Sequence, residues 1–329
     1  MYRRGVKRAA LTSVAILLSS AGLAACGSNP AAPSGTAGTS GSGGSTATTS
    51  TATASTGSGG PACTETKFGG DRPVDLHVPF SYACDKGAPL VILLHGYTAS
   101  GSLEELYLNI TAESNKRGFL YAHPDGTKNS EDKQFWNATD ACCNFEGSKV
   151  DDSAYISDLI KDVQAAYNVD AKRIYLVGHS NGAFMSYRMA CEHGDQIAAF
   201  ASLAGAMYSD VTKCAPKEPV SLLEIHGTAD DTIAYKGGAI GAATFPSAET
   251  SVADWVTFDK CNKSPEAAAA PLDLEAALAG SETQVTSYSG CQAGTGVALW
   301  TIEGGSHIPS FTESFIPGVM DFLYAHPKL

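Results

Sequence analysis

The sequence predicts a doubly wound α/β fold, in which helices cover both faces of a mostly parallel sheet. Short uninterrupted apolar runs recur along residues 62–329, and they alternate with longer segments that have the periodicity of amphipathic helices. A strand that is apolar along its whole length is buried on both faces, as in a parallel sheet between helices. The length of this segment favours one such domain over two small ones.

The first elements are an early strand and a fully buried one. Apolar residues alternate over Pro73–Phe80, which predicts a half-exposed strand, and Leu90–Leu94 is continuously apolar. Further strands are predicted near Phe119–Ala122, Arg173–Val177, Ala198–Leu203, Ser221–Ile225 and Val297–Ile302. Helices are predicted near Ser102–Lys116, Asp152–Tyr167, Ala183–Glu192, Ser247–Phe258 and Phe311–Leu323.

Three segments fall outside this alternation. Residues 263–281 are rich in Ala and are predicted to be an insertion of undefined structure. Residues 1–25 combine a basic stretch with a short apolar run and predict an export signal. Its Leu-Ala-Ala-Cys ending resembles a bacterial lipobox, in which Cys26 is lipidated; an ordinary signal peptide is the alternative. Residues 27–61 are almost entirely Gly, Ser, Thr, Ala and Pro, so we expect a flexible tether with a reach of roughly 30–35 Å.

The cysteines and the charge restrict the class of protein. A net charge of −12 disfavours nucleic acid as a partner. Nine cysteines without Cys26 leave an even number, which predicts four disulfides in an exported chain. No Cys-x-x-Cys spacing indicates a metal site, and we expect neither metal nor cofactor. The pairs we favour are Cys63–Cys84 and Cys261–Cys291, with Cys142 and Cys143 pairing separately with Cys191 and Cys214.

The strongest motif is Gly-x-Ser-x-Gly at residues 178–182, between a predicted strand and a predicted helix. Such a sharp turn strains the serine and projects its hydroxyl above the sheet, while the glycines avoid steric clashes. This arrangement is the nucleophile turn of the α/β-hydrolase fold, and it makes Ser180 the candidate nucleophile. His179 is expected to pack beneath the turn.

A serine hydroxyl needs a base, and the fold supplies its acid and its histidine in that order after the serine. His307 follows the last predicted strand and is the candidate base. The candidate acid is Asp230, with Asp231 as its rival, because both follow the strand that ends near His226. His226 itself is expected to shape that turn.

Acyl transfer also requires two donors for the oxyanion. The backbone N–H of Asn181, directly after the serine, is one candidate. The other is the backbone N–H of Tyr97, since His95-Gly96 ends a buried strand at the corresponding edge of the sheet. Asp151 or Asp152 is expected to cap the following helix. Trp136 is a candidate for the substrate pocket, with ordinary packing as the alternative.

These motifs, taken in order, resemble those of the polyhydroxybutyrate depolymerase and feruloyl or acetylxylan esterase family, over about residues 63–327. The resemblance implies a secreted carboxylic ester hydrolase with no cofactor, a Ser-Asp-His triad at Ser180, Asp230 and His307, and oxyanion donors at Tyr97 and Asn181. The motifs that carry it are His95-Gly96, Trp136, Cys142-Cys143, Val150-Asp151-Asp152, the serine turn, His226 to Asp230, Tyr235 and His307.

The sequence departs from the family pattern after the histidine. Ile308-Pro309 stands where many relatives have Trp-Pro, so Ile308 is expected to form the wall beside the acyl site. No aromatic-rich polymer-binding module is present, which favours short-chain, hydroxyalkanoate-oligomer or feruloyl and acetyl carbohydrate esters over solid polyester. We expect a monomer, exported and lipid-anchored at the cell envelope or secreted. The alternatives are a serine peptidase of the same fold and a catalytically silent surface binding protein.

Overall fold

The computed structural model describes residues 61–267 and 269–329, so the predicted signal, the predicted lipidation site Cys26 and nearly all of the predicted tether lie outside the described residues. The first strands are short, and the longest one ends at the serine turn. The strands are β1 (Lys67–Phe68), β2 (Val74–Asp75), β3 (Ala88–Leu94), β4 (Leu120–Ala122), β5 (Thr127–Lys128), β6 (Gln134–Phe135), β7 (Val169–His179), β8 (Ala199–Leu203), β9 (Ser221–Gly227), β10 (Gly238–Ile240), β11 (Ala243–Phe245), β12 (Thr283–Tyr288) and β13 (Val297–Ile302).

Seven of these strands form one sheet in the order β12-β13-β9-β8-β7-β3-β4. Neighbouring strands are parallel except β12 and β13, which confirms the mostly parallel sheet. Side chains of β3 alternate between two apolar cores: Leu90, Ile92 and Leu94 enter one, and Val91 and Leu93 enter the other. A strand buried in this way has no polar face, as its sequence predicted.

Helices cover both faces of the sheet, so the predicted doubly wound α/β-hydrolase architecture is confirmed. Ile160, Phe184 and Trp255, from three different helices, enter the first core, whereas Val319 and Met320 enter the second. None of the helices within residues 61–267 and 269–329 is both long and apolar enough to cross a membrane. The helices are α1 (Gly101–Leu108), α2 (Ile110–Arg117), α3 (Asp152–Ala166), α4 (Asn181–Glu192), α5 (Ala248–Phe258) and α6 (Phe315–Ala325).

Three elements differ from the sequence prediction. The helix predicted over Ser102–Lys116 is two helices, because Asn109 between them adopts a left-handed φ of 53°. The last helix begins four residues later than predicted, since Phe311 pairs with Glu275 in an isolated β-bridge instead. The early strand is reduced to Val74–Asp75 and one bridging residue, His77.

The antiparallel edge strand β12 was not predicted from the sequence. It follows the Ala-rich segment, in which Leu272 pairs with Thr283, the first residue of β12, in an isolated antiparallel bridge. Most of the β12 side chains are half-buried, so the strand lacks the continuous apolar run that identified its neighbours.

The disulfides confirm two predicted pairs and correct the rest. Cys63 is bonded to Cys84, and Cys261 to Cys291, as predicted. The prediction for the remaining four was wrong, because Cys191 at the end of α4 meets Cys214 after a short 3₁₀ turn, with their Cα atoms 4.9 Å apart. Cys142 and Cys143 are bonded to each other.

Candidate active site

The turn at residues 178–182 joins the end of β7 to the start of α4. Ser180 adopts φ 53° and ψ −119°, a strained conformation for a residue with a side chain. A Cβ on Gly182 would collide with the carbonyl of Leu94 on the neighbouring strand β3. Only glycine therefore lets the turn pass this close to the sheet, and the strain points the hydroxyl of Ser180 out of the elbow.

The structure brings Ser180, His307 and Asp230 together from three separate loops. Nε2 of His307 lies 3.0 Å from Oγ of Ser180, and its Nδ1 lies 2.8 Å from Oδ2 of Asp230. Because the carboxylate only accepts, Nδ1 carries the proton and Nε2 is free to accept from the hydroxyl. The rival carboxylate, Asp231, is exposed and has no contact with the imidazole. The arrangement has the geometry of a nucleophile, a base and an orienting acid.

Asp230 is held in one orientation by the loop after β9. Its Oδ1 accepts hydrogen bonds from the backbone N–H groups of Thr232 and Ile233 at 2.9 and 2.8 Å. Burial opposes a charge on this carboxyl, but the hydrogen bonds from His226 and His307 outweigh burial and hold its pKa well below its usual range. An ionised acid at this place favours a positive charge on the imidazole during reaction.

The two candidate oxyanion donors are backbone amides on either side of the serine. Asn181 is the first residue of α4, so its N–H has no acceptor within the helix. Among the described residues, the Tyr97 amide donates no backbone hydrogen bond. His95 orders the strand end before it: Nδ1 donates to the Gly96 carbonyl at 2.7 Å, while Nε2 accepts from the amide of Gly126 at 2.8 Å. Burial lowers the pKa of His95, which keeps this ring neutral.

The side chain of Asn181 joins the serine turn to the loop around Trp136. It accepts from the Trp136 amide at 2.7 Å and donates to the Trp136 carbonyl at 3.0 Å. Trp136 is fully buried, and its indole N–H donates to the His95 carbonyl at 3.1 Å. The expectation that the Trp136 ring lines the substrate pocket is therefore corrected: the ring packs inside the protein and supports the strand end before Tyr97, while the Trp136 backbone holds the side chain of Asn181.

An open cavity of about 550 Å³ lies directly over the serine hydroxyl. Ile308 forms part of its wall, where the sequence placed it, and is 62% exposed. Helix α1 also contributes to the wall, which the sequence did not predict: its Leu103 and Leu106 line the opening. Exposed leucines on an amphipathic helix carry no sequence pattern that distinguishes a pocket from ordinary surface.

Glu104 on α1 is a second residue that the sequence did not indicate. Its buried carboxylate accepts from the Gly96 amide at 3.1 Å and from Nδ1 of His179 at 3.0 Å. Nε2 of His179 in turn donates to the His307 carbonyl at 3.1 Å. Burial opposes the charged form of His179, but the carboxylate of Glu104 outweighs it and raises the pKa of this histidine. One buried ion pair thus connects the oxyanion loop, the serine turn and the loop of His307.

The N-cap prediction resolves in favour of Asp151, whose side chain accepts from the Ala154 amide at 3.1 Å. Asp152 is fully buried and pairs with Arg72 at 2.7 Å. Within residues 61–267 and 269–329, no group of three or more His, Cys, Asp or Glu side chains is placed to hold a metal ion.

Comparison with known proteins identifies a family and agrees with this fold. Residues 74–267 match the family model described as esterase PHB depolymerase. Feruloyl esterase B of Piromyces equi is 29% identical over 244 residues, which is 72% of this chain and 42% of that protein. Poly(3-hydroxyalkanoate) depolymerase C of Paucimonas lemoignei is 30% identical over 163 residues, covering 47% and 36% of the two chains. The matches thus span less than half the length of these relatives.

Among solved structures, an acetyl xylan esterase from Aspergillus awamori is similar in fold, with a TM-score of 0.56 and 16% identity over 78% of this chain and 94% of that one. Fold and family together define a class of protein, the carboxylic ester hydrolases built on the α/β-hydrolase fold. The chain belongs to the esterase PHB depolymerase family.

Proposed function

We propose that this protein is an exported serine esterase that cleaves carboxylic esters through an acyl-enzyme. The observation that carries the proposal is the continuous hydrogen-bonded chain from Ser180 through His307 to Asp230, with links of 3.0 and 2.8 Å, at the floor of an open cavity. His307 takes the proton of the serine hydroxyl as the hydroxyl attacks the ester carbonyl, and it returns that proton to the departing alcohol. Water then repeats the sequence on the acyl-enzyme.

The amides of Tyr97 and Asn181 stabilise the tetrahedral oxyanion in this proposal. They lie in the loops that flank the serine, and the Asn181 amide also stands at the N-terminus of α4, where the helix dipole favours negative charge. Both loops are fixed by buried contacts through Trp136 and Glu104. Fixed donors cost no reorganisation when the charge develops.

The substrates we propose are esters of short acyl groups, hydroxyalkanoate oligomers, or feruloyl and acetyl groups on carbohydrate. The cavity walls are mainly apolar, with Leu103, Tyr107 and Ile308 facing the space above the serine. The names of the relatives, which include feruloyl esterase and poly(3-hydroxyalkanoate) depolymerase, point to the same substrates. We also propose that Cys26 anchors the exported enzyme to a membrane through lipid.

A fluorophosphonate probe tests the nucleophile directly. The protein should be labelled at Ser180, and Ser180→Ala should lose both the labelling and several orders of magnitude of ester hydrolysis while remaining folded. Near-normal activity in that variant would remove the central claim. Matched ester and amide substrates then separate an esterase from a peptidase, since faster amide cleavage would support the peptidase.

The acyl group is identified by a screen of acetyl, butyryl, hydroxybutyryl and feruloyl esters with the purified enzyme. Short or planar acyl groups should turn over fastest, because the apolar wall beside the serine consists of a few side chains, among them Leu103, Tyr107 and Ile308. Faster hydrolysis of long-chain triglyceride emulsions would contradict the proposed range.

A further inference from the structure

A second buried histidine lies beside the acid. His226 is 1% exposed and belongs to β9, whose carboxyl end carries the Asp230 loop. Its Nε2 lies 2.7 Å from the Ile233 carbonyl and 3.4 Å from Oδ2 of Asp230. The Ile233 amide donates to the other carboxylate oxygen of Asp230. His226 therefore contacts both the acid and the residue that orients the acid.

Both ring nitrogens of His226 face hydrogen-bond acceptors. Nε2 faces the Ile233 carbonyl, which cannot donate, so this nitrogen carries a proton. Nδ1 lies 3.1 Å from Oε1 of Glu224, whose carboxylate is also fully buried. A neutral imidazole has only one N–H, whereas an imidazolium donates to both neighbours at once. The contacts thus fit a positively charged ring.

The titratable groups around His226 come from each element that packs against it. Glu224 lies on its own strand, Asp230 and Tyr235 on the following loop, and Tyr187 of α4 donates to the second oxygen of Glu224 at 2.9 Å. The ring of Tyr235 packs edge-on against the imidazole, with centroids 5.7 Å apart. Two carboxylates and two neutral phenols therefore surround the ring. Because the only charges among these four groups are negative, they favour a positive charge on His226.

The pKa shifts of the groups in this cluster agree in direction with a charged ring. Burial opposes charge on His226, but its hydrogen bonds to Asp230 and Glu224 outweigh burial and raise the pKa of the histidine to about 9. Burial raises the pKa of Glu224, while the contacts from His226 and Tyr187 oppose that rise. Charges then alternate in sign along the series Glu224, His226, Asp230 and the reacting His307.

We propose that His226 is a positioning residue that acts as a buried cation: it fixes Ile233, and through it the orientation of Asp230, and its charge limits how strongly Asp230 promotes protonation of His307. This inference rests on the proposed esterase function and extends the three-residue chain to five. Glu224 retains the proton on His226, since its carboxylate is the partner of Nδ1.

The pH profile of kcat/KM separates this role from simple packing. His226→Gln keeps an N–H donor of similar reach but removes the charge. Without the cation, the charge of Asp230 acts undiminished on His307, so protonation of His307 becomes easier. The acid limb of the profile reports protonation of the base, His307, in the free enzyme. This limb should move to higher pH by about one unit. The maximal kcat/KM should fall about tenfold as the acid loses one of its fixed neighbours.

Tyr235→Phe is the matched control, because it alters a side chain that packs against His226 without changing a charge. It should keep the acid limb of the wild type within about 0.2 units. The profiles are measured with p-nitrophenyl acetate, and fluorophosphonate labelling of Ser180 is followed in every variant. A labelled, active His226→Gln variant with an unshifted acid limb would overturn the role of His226 and leave the esterase proposal intact. A wild-type protein that is not labelled would instead overturn the esterase proposal.

Nuclear magnetic resonance of ¹⁵N-histidine-labelled wild-type enzyme tests the charge even if His226→Gln does not fold. Both ring nitrogens of His226 should remain protonated at pH 7.5, above the usual pKa of histidine of about 6.5. Glu224→Gln keeps the shape of the side chain but removes the negative charge beside Nδ1, so the imidazolium of His226 should lose a proton at lower pH. The resonance that changes in this variant is thereby assigned to His226. A neutral ring with one unprotonated nitrogen at pH 7.5 in the wild-type protein would refute the cation.

Discussion

Replacing Asn181 by alanine tests whether the loop of Trp136 holds the oxyanion donor in place. The Asn181 side chain is fully buried and makes two hydrogen bonds to the backbone of one residue, to the Trp136 amide at 2.7 Å and to the Trp136 carbonyl at 3.0 Å. The candidate donor is the backbone N–H of Asn181, and the substitution leaves that N–H present. Any loss of activity therefore measures the position of the donor, since its chemistry is unchanged.

The expected loss of stability follows from the two groups left without partners. A buried amide or carbonyl that loses its hydrogen bond costs about 1–3 kcal/mol, so the loss of two should lower the free energy of unfolding of Asn181→Ala by about 2–6 kcal/mol. For a domain of this size, about 2 °C of melting temperature corresponds to 1 kcal/mol, which gives a decrease of about 4–12 °C. Removing an oxyanion donor entirely costs about 10²–10³ in kcat, so a displaced donor should cost about 10–100-fold.

The assay combines thermal unfolding, followed by circular dichroism, with kcat and KM for p-nitrophenyl acetate below the unfolding transition. KM should change little, because the lost interaction belongs to the transition state. Asn115→Ala is the control: its exposed side chain makes one hydrogen bond to His77, and its loss should change stability by less than about 0.5 kcal/mol. An Asn181→Ala protein with the melting temperature and kcat of the wild type would refute the reasoning.

Three further predictions concern the acid, the pocket wall and a disulfide. Asp230→Asn should lower kcat by roughly 10⁴ because it stabilises the wrong histidine tautomer, whereas Asp231→Asn should cost less than about tenfold; the reverse ranking in equally folded variants would assign the acid to Asp231. Ile308→Ala should raise KM for butyryl esters about 3–10-fold and spare acetyl esters, since the apolar contact is lost only by the longer chain; equal effects on both esters would place Ile308 outside the acyl site. Replacing Cys191 and Cys214 together by alanine removes a disulfide between residues 23 positions apart, and it should lower the free energy of unfolding by about 3 kcal/mol. Chemical unfolding measures this change, and unchanged stability would contradict the prediction.

The candidate site divides into residues that local patterns indicate and residues that they do not. Ser180 was indicated by its glycines and by its place between a strand and a helix, and His307 by its place after the last strand, because both patterns are local in the chain. Glu104 had no such pattern, since an acidic residue in the first turn of a helix is ordinary there. Its contact with His179 joins positions far apart in sequence.

The same division holds for the fold. The central strands were predicted because burial on both faces requires an uninterrupted apolar run, which is visible in Leu90–Leu94. The edge strand β12 was not predicted, because a half-buried edge needs no such run. The split between α1 and α2 depends on a single left-handed residue, Asn109, which periodicity does not reveal.

The sequence by itself determined the alternation of the central strands with helices, the nucleophile turn and the histidine after the last strand, because each is encoded within a few neighbouring residues. Only the tertiary structure decided which of Asp230 and Asp231 faces the imidazole, and that Cys191 pairs with Cys214. The tertiary structure also shows that the Trp136 ring is buried in the interior. These outcomes depend on the direction in which a side chain leaves its loop, and that direction is set by contacts with distant parts of the chain.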